Sequence, residues 1–281
     1  MRWHYVMRSV GAISVCISLT MLFPLAFSLY YDDGSAWPLI QSMTLALSVG
    51  SAIFLFFRRF NQPYMSHRNA IAIVTFGWIA ATVIGALPFL LSGTFDTFTD
   101  CIFESISGFS TTGSSVLADI ERVPRGILMW RSLTHWLGGM GIIVLSLAIL
   151  PFLGLGGMQL YRAEAPGPSP DKLTPRIRDT ASALWKVYLV FTFVMIILLM
   201  CGGMDAFDAI CHTFGTLATG GFSTRNLSIA YYNSAYIDAV ITIFMLLSGI
   251  NFSLHYQMLS GKPRLLFADP ELRFFLSVVS V

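Results

Sequence analysis

Long apolar runs alternate with short polar connections along this chain, and the run lengths predict its elements. Charge-free apolar windows cover 9–31, 34–57, 69–95, 132–161, 187–204 and 239–261, and another opens at Phe274 and continues to Val281. Most exceed the roughly 20 residues that cross about 30 Å of hydrocarbon as a helix, with 187–204 near the lower bound. Between them lie two segments too short to cross, 98–115 and 206–223. Each ends in a Thr/Gly turn, Thr111-Thr112-Gly113-Ser114 and Thr219-Gly220-Gly221-Phe222. Non-helical backbone at membrane depth is tolerated only where protein or a water-filled path receives its polar groups. The pattern predicts an all-α polytopic membrane protein with re-entrant half-helices.

Sliding the chain against itself by 108 residues places Asp100 on Asp208, Ile102 on Ile210, Thr111 on Thr219, Gly113 on Gly221 and Ser115 on Ser223. The flanking Leu90-Leu91 lands on Leu198-Leu199. These identities follow the order of the hydropathy pattern: spanning run, short helix, glycine turn, spanning run. Weak internal repeats of this kind are common in transporters and channels. The predicted organisation is two leading transmembrane helices in 1–62, a first membrane–pore–membrane repeat in 63–165, a second in 166–263, and the start of a third in 264–281.

Composition supports the membrane assignment, with 55% hydrophobic and 11% charged residues and a mean hydropathy of +0.70, and excludes an ordinary soluble domain. The net charge of +2 says little, but its placement says more. Basic residues gather at Arg2/Arg8, Arg58/Arg59/Arg68, Arg162/Lys172/Arg176/Arg178/Lys186 and Lys262/Arg264/Arg273. Acidic residues occupy the alternate connections, at Asp32/Asp33, Asp96/Asp100/Asp119/Glu121 and Asp205/Asp208. The positive-inside rule puts the basic group in the cytoplasm, so both short segments enter and leave on the outer face. Arg122, Arg125, Arg131 and Arg225 break this pattern. The first apolar run is longer than a signal-peptide core, and no clear cleavage site follows it. Cys16, Cys101, Cys201 and Cys211 form no CxxC pair and read as buried small hydrophobes. The proline-broken basic loop 162–178 suits the cytoplasm, against anionic headgroups or a soluble partner.

A monovalent cation must exchange its water shell for oxygens at little net cost, and backbone carbonyls with Thr hydroxyls supply them without a fixed charge. Glycine lets consecutive carbonyls turn to one side. Thr111, Thr112, Gly113 and Ser114, with Thr219, Gly220, Gly221 and Phe222, are therefore the candidate cation-binding residues. Either Gly220 or Gly221 is the counterpart of Gly113. Taken singly, each motif also reads as an ordinary turn; repeated at one offset in matching context, the pair favours a filter. Glu104 and His212 are polar groups inside the short helices. Glu104 either concentrates cations at the mouth or braces its loop, and bracing is favoured. Leu137-Gly138-Gly139-Met140-Gly141 suits close helix packing more than bending. Arg131 and His135 lie near an outer helix end, where snorkelling towards headgroups suffices to explain them.

The chain resembles the Trk/Ktr/HKT superfamily of potassium transporters, in particular the bacterial Trk-type uptake membrane subunit. The resemblance rests on Phe103-Glu104-Ser105, Thr111-Thr112-Gly113, Trp136-Leu137-Gly138-Gly139-Met140-Gly141-Ile142, Ile149-Leu150-Pro151, Gly157-Met158-Gln159-Leu160-Tyr161-Arg162-Ala163-Glu164, Met204-Asp205-Ala206-Phe207-Asp208-Ala209-Ile210 and Gly220-Gly221-Phe222-Ser223-Thr224. It implies potassium uptake across the bacterial inner membrane, by a channel-like or an ion-coupled (symport) route. It further implies a homodimer and a cytoplasmic nucleotide-binding regulatory ring, with the nucleotide held by that partner. Potassium is then cargo, no cofactor is bound by this chain, and nucleic acid is not a partner. Family members place four filter loops around one pore, each with a central glycine, for which Gly113 and Gly221 (or Gly220) are the candidates here. Two loops are present, so the expectation is an incomplete half-pore. The competing reading is a non-conducting or regulatory half-subunit associated with a full-length relative. An enzyme is not expected, since no nucleophile–base pair or intramembrane carboxylate cluster is present.

Overall fold

Backbone polar groups find no water inside a bilayer, so each apolar run closes its own hydrogen bonds as a helix. The computed structural model describes residues 3–59, 67–153, 177–259 and 269–279, and these contain helices and turns with no strand among them. Helix α1 (Trp3–Thr20) and α2 (Leu22–Tyr31) form one span interrupted at Met21. Pro24 explains the break, because it has no N–H to offer the preceding turn. The chain turns at Asp32 in a left-handed conformation (φ 49°) and returns as α3 (Ala36–Phe57). The two spans meet through small residues: a Cβ on Gly50 would stand 2.8 Å from the Ser14 Cβ, the close approach that replaces hydrophobic drive in lipid.

Helix α4 (His67–Leu91) then leads to the short α5 (Phe98–Phe109) and to α6 (Arg125–Leu153). Helices α7 (Ile177–Cys201), α8 (Ala206–Leu217) and α9 (Ala235–Gly249) repeat that order, followed by α10 (Phe252–Leu259) and α11 (Pro270–Val279). Among the described residues, four helical stretches are long and apolar enough to span: Trp3–Tyr31, Ala36–Phe57, Ile71–Leu91 and Ser182–Cys201. Their outward residues, such as Ile79, Phe193 and Ile197, are exposed apolar side chains, as expected where lipid is the solvent.

Helix α6 is the keystone. Its buried Ile127, Met129 and Trp130 fill the interior, and Trp130 Nε1 donates to the Gly85 carbonyl of α4 at 2.9 Å. Gly138 lies against the backbone of Phe109 at the end of α5, and Gly139 against Ala218 just past α8. The glycine-rich stretch thus serves close packing, as expected. It also bends: Gly141 has φ 34° and ψ −168°, which interrupts the helix.

Three expectations are corrected. The 239–261 run is not one helix, because Ile250 is extended (φ −84°, ψ 143°) and separates α9 from α10. The Leu90-Leu91 and Leu198-Leu199 match is a coincidence of sequence. Gly93 (φ 65°) and Gly203 (φ 91°) hold corresponding turn positions, with Thr94 N donating to Phe89 O and Met204 N to Leu199 O. The turn before α8 is therefore two residues shorter than the turn before α5, and the 108-residue register begins only at the short helices. Cys101 and Cys211 are buried, but Cys16 and Cys201 are exposed on apolar faces. The loop 162–178 lies outside the described residues save for its last two, as do the boundaries near 62, 165 and 263.

Candidate functional site

Both short helices end in the same way. At the end of α5, Ser110 N donates to Ile106 O, Thr111 N to Gly108 O, and Thr112 N and Gly113 N to Ser107 O. At the end of α8, Ala218 N donates to Phe214 O, Thr219 N to Thr216 O, and Gly220 N and Gly221 N to Gly215 O. Thr111 and Thr219 are both left-handed, at φ 54° and 55°, and so are Gly113 and Gly221, at φ 76° and 91°. A left-handed threonine costs on the order of 1–2 kcal/mol, so its recurrence marks a backbone held by its surroundings. The match equates Gly113 with Gly221 and Thr112 with Gly220, which removes the ambiguity of register. A short 3₁₀ turn follows each loop, Ile120–Arg122 and Ser228–Tyr232, again 108 residues apart.

The loops are neighbours as well as copies. A Cβ on Gly113 would overlap the carbonyl oxygen of Gly220, and one on Gly220 would press on the ring of His135. Ser107 Oγ donates to the Ser114 carbonyl, and the Thr112 hydroxyl pairs with that of Ser110 at 2.7 Å. The Phe222 ring is buried, stacked on His135 with centroids 3.9 Å apart, so only its backbone faces the loop.

Each loop is braced by the polar residue inside its own helix. Glu104 accepts from Ser115 Oγ at 2.8 Å and from Val116 N at 3.2 Å, while the Ser115 hydroxyl accepts from Leu117 N at 3.1 Å. In the second unit His212 stands in the Glu104 position. Its Nδ1 lies 2.7 Å from the Asp208 carbonyl, which can only accept, so Nδ1 carries the hydrogen. Nε2 is left to accept from Ser223 Oγ at 3.0 Å, and that hydroxyl accepts from Arg225 N at 3.0 Å. The favoured bracing role of Glu104 therefore holds, and an imidazole does the same work in the second unit.

Snorkelling does not describe Arg131 or His135. Arg131 is only 3% exposed and Glu104 fully buried, and Arg131 Nε donates to Glu104 Oε1 at 2.6 Å. A buried guanidinium needs a carboxylate and full hydrogen bonding to offset its desolvation, and 27 residues of separation hide the pairing from any local pattern. The other outer arginines also have partners. Arg225 donates twice to Asp208 Oδ2, at 3.0 and 2.7 Å. Arg122 pairs with Asp119 at 2.8 Å, and Arg125 lies 4.1 Å over the Tyr31 ring. Outside the helices, Asn226 ties the two outer loops together, accepting from Ile120 N at 2.8 Å and donating to Asp119 at 2.9 Å. Asp33 links the leading hairpin to α6 by accepting from Gly126 N at 2.6 Å. Burial works against its ionisation, but hydrogen bonds from Ser28, Gly126 and Ser35 outweigh that cost and hold its carboxyl below the usual range.

Fold and composition define a multi-pass, all-helical membrane protein. Residues 39–278 match the family model for TrkH, described as a cation transport protein. The chain is 44% identical over 281 residues to the Trk system potassium uptake protein TrkH of Escherichia coli (strain K12), covering 99% of this chain and 58% of that protein. It is 39% identical over 264 residues to TrkG of the same organism, covering 93% and 54%. The crystal structure of the potassium transporter TrkH from Vibrio parahaemolyticus superposes with a TM-score of 0.83 at 37% identity, covering 98% of this chain and 56% of that one. The chain belongs to the TrkH family of cation transport proteins, a family of transporters and not of enzymes, and it spans little more than half the length of these relatives.

Proposed function

We propose that residues 1–281 supply two of the ion-coordinating loops of a Trk-type potassium uptake pathway in the bacterial inner membrane. Backbone carbonyls of Thr111, Thr112, Gly113 and Ser114, with those of Thr219, Gly220, Gly221 and Phe222, replace the water of a passing potassium ion. The observation that carries the reading is the matching left-handed backbone of the two loops, brought into contact at Gly113 and Gly220. Such a geometry turns neutral oxygens to one side of each strand. The units 63–165 and 166–263 then form two membrane–pore–membrane repeats. Potassium is the cargo, and in the assembled transporter this subunit pairs with a second copy and a cytoplasmic regulatory ring.

The test joins residues 1–281 to the C-terminal remainder of the E. coli TrkH relative and expresses the chimera in a potassium-uptake-deficient bacterium. Growth at low potassium is expected, with none from residues 1–281 alone. A membrane-inserted chimera that fails to restore growth overturns the proposal. Rescue by residues 1–281 alone would instead show that two copies of this chain complete one pore.

A further inference from the structure

Arg131 touches both loops at once. Through Nε it holds Glu104, which in turn holds Ser115 and Val116 beyond the first loop. Through Nη1 it donates to the carbonyl oxygen of Ser223, beyond the second loop, at 3.0 Å. Its Cζ lies 3.6 Å from the centroid of the Phe222 ring, which is pinned from its other side by His135. We propose that Arg131 is a cross-repeat positioning residue: it sets the second glycine loop relative to the first without itself meeting the ion.

The chemistry favours arginine alone. Two acceptors in different loops need a planar fork with donors pointing in two directions, whereas a lysine ammonium is a compact point charge on a flexible stem. The arrangement is also one-sided. Counting forward by 108 or by 110 residues, the Arg131 position falls on Ala239 or Ile241 of α9, both apolar. The second unit accordingly braces its loop with the imidazole of His212. A carboxylate there would have no cation to itself, because the nearby Arg225 is already committed to Asp208, and a buried carboxylate short of a partner is strongly destabilising. Glu104 with Arg131, and His212 with an apolar α9, are matched sets, so the tether between the loops is anchored in the first unit alone.

Amide exchange on the 281-residue chain in lipid nanodiscs tests the tether without requiring transport. With Arg131→Lys, residues 111–117 should keep their protection, while 219–225 exchange about tenfold faster, the scale of one lost charged hydrogen bond. The paired variant Glu104→Gln/Arg131→Gln avoids a stranded charge, and it should loosen both loops while α8 stays protected. An unchanged second loop in Arg131→Lys, or equal loosening throughout α8, overturns the proposal. The bearing of the tether on selectivity rests on the filter reading above, and the chimera separates the two. If Gly113→Ser lowers potassium preference over sodium and Arg131→Lys does not, the tether has no role in selectivity. If neither variant changes the preference, the filter reading itself fails.

Discussion

Gly113 lies so close to the carbonyl oxygen of Gly220 that no side chain fits between them. The two loops therefore share one wall at this point of contact. Its positive φ, 76°, adds a penalty of about 1–2 kcal/mol for any residue with a Cβ. Gly113→Ser is expected to displace the Gly220 carbonyl and reduce potassium-over-sodium preference in the chimera, measured as uptake of each ion. Unchanged preference would remove Gly113 from the coordinating set.

The Glu104–Arg131 pair is buried. Glu104→Gln leaves an uncompensated guanidinium and should cost about 3–5 kcal/mol of stability. The double variant Glu104→Gln/Arg131→Met should recover part of that loss, because no charge remains stranded. Thermal unfolding of the detergent-purified chain provides the comparison, and additive losses would show that the pair is not coupled.

Asp33 carries the pH dependence of the leading hairpin. Its carboxyl is held below the usual range in the fold, so its stabilisation is fully present above the ordinary carboxylate value and disappears as pH falls through the lower, folded value. Asp33→Asn should lower the melting temperature at neutral pH. The gap to the parent should close on acidification below the ordinary carboxylate range, and a gap that widens there would reverse the sign.

Asn226 is exposed, and water competes for its hydrogen bonds. Asn226→Ala should therefore cost no more than about 1 kcal/mol, yet raise amide exchange at Ile120, whose N–H loses its acceptor. Full protection at Ile120 would show that the clasp does not order the outer loop.

Run length and hydropathy disclosed most of the architecture, because a bilayer imposes one solution on a long apolar segment. The recurrence of Thr111-Thr112-Gly113 as Thr219-Gly220-Gly221 also disclosed the paired loops. What stayed hidden depended on contacts across sequence distance. Arg131 reads as an outer-end cation until Glu104 is found beside it, and Arg225 reads as a breach of the positive-inside rule until Asp208 is. The break at Ile250 is marked in sequence only by the flanking Gly249 and Asn251, single residues that the charge-free run 239–261 absorbs without interruption. The shortened turn before α8 was masked by chance leucines at a 108-residue offset.

The exchange of Glu104 for His212 bears on how long a cargo ion would linger. Glu104 and Arg131 cancel, Asp208 and Arg225 cancel, and an imidazole with one hydrogen is neutral. These three braces beside the proposed path thus add no net charge of their own. A deep well would capture a cation and keep it, whereas throughput requires that each ion leave as readily as it arrives. In the proposed pathway, neutral braces of this kind would favour rapid turnover over tight retention.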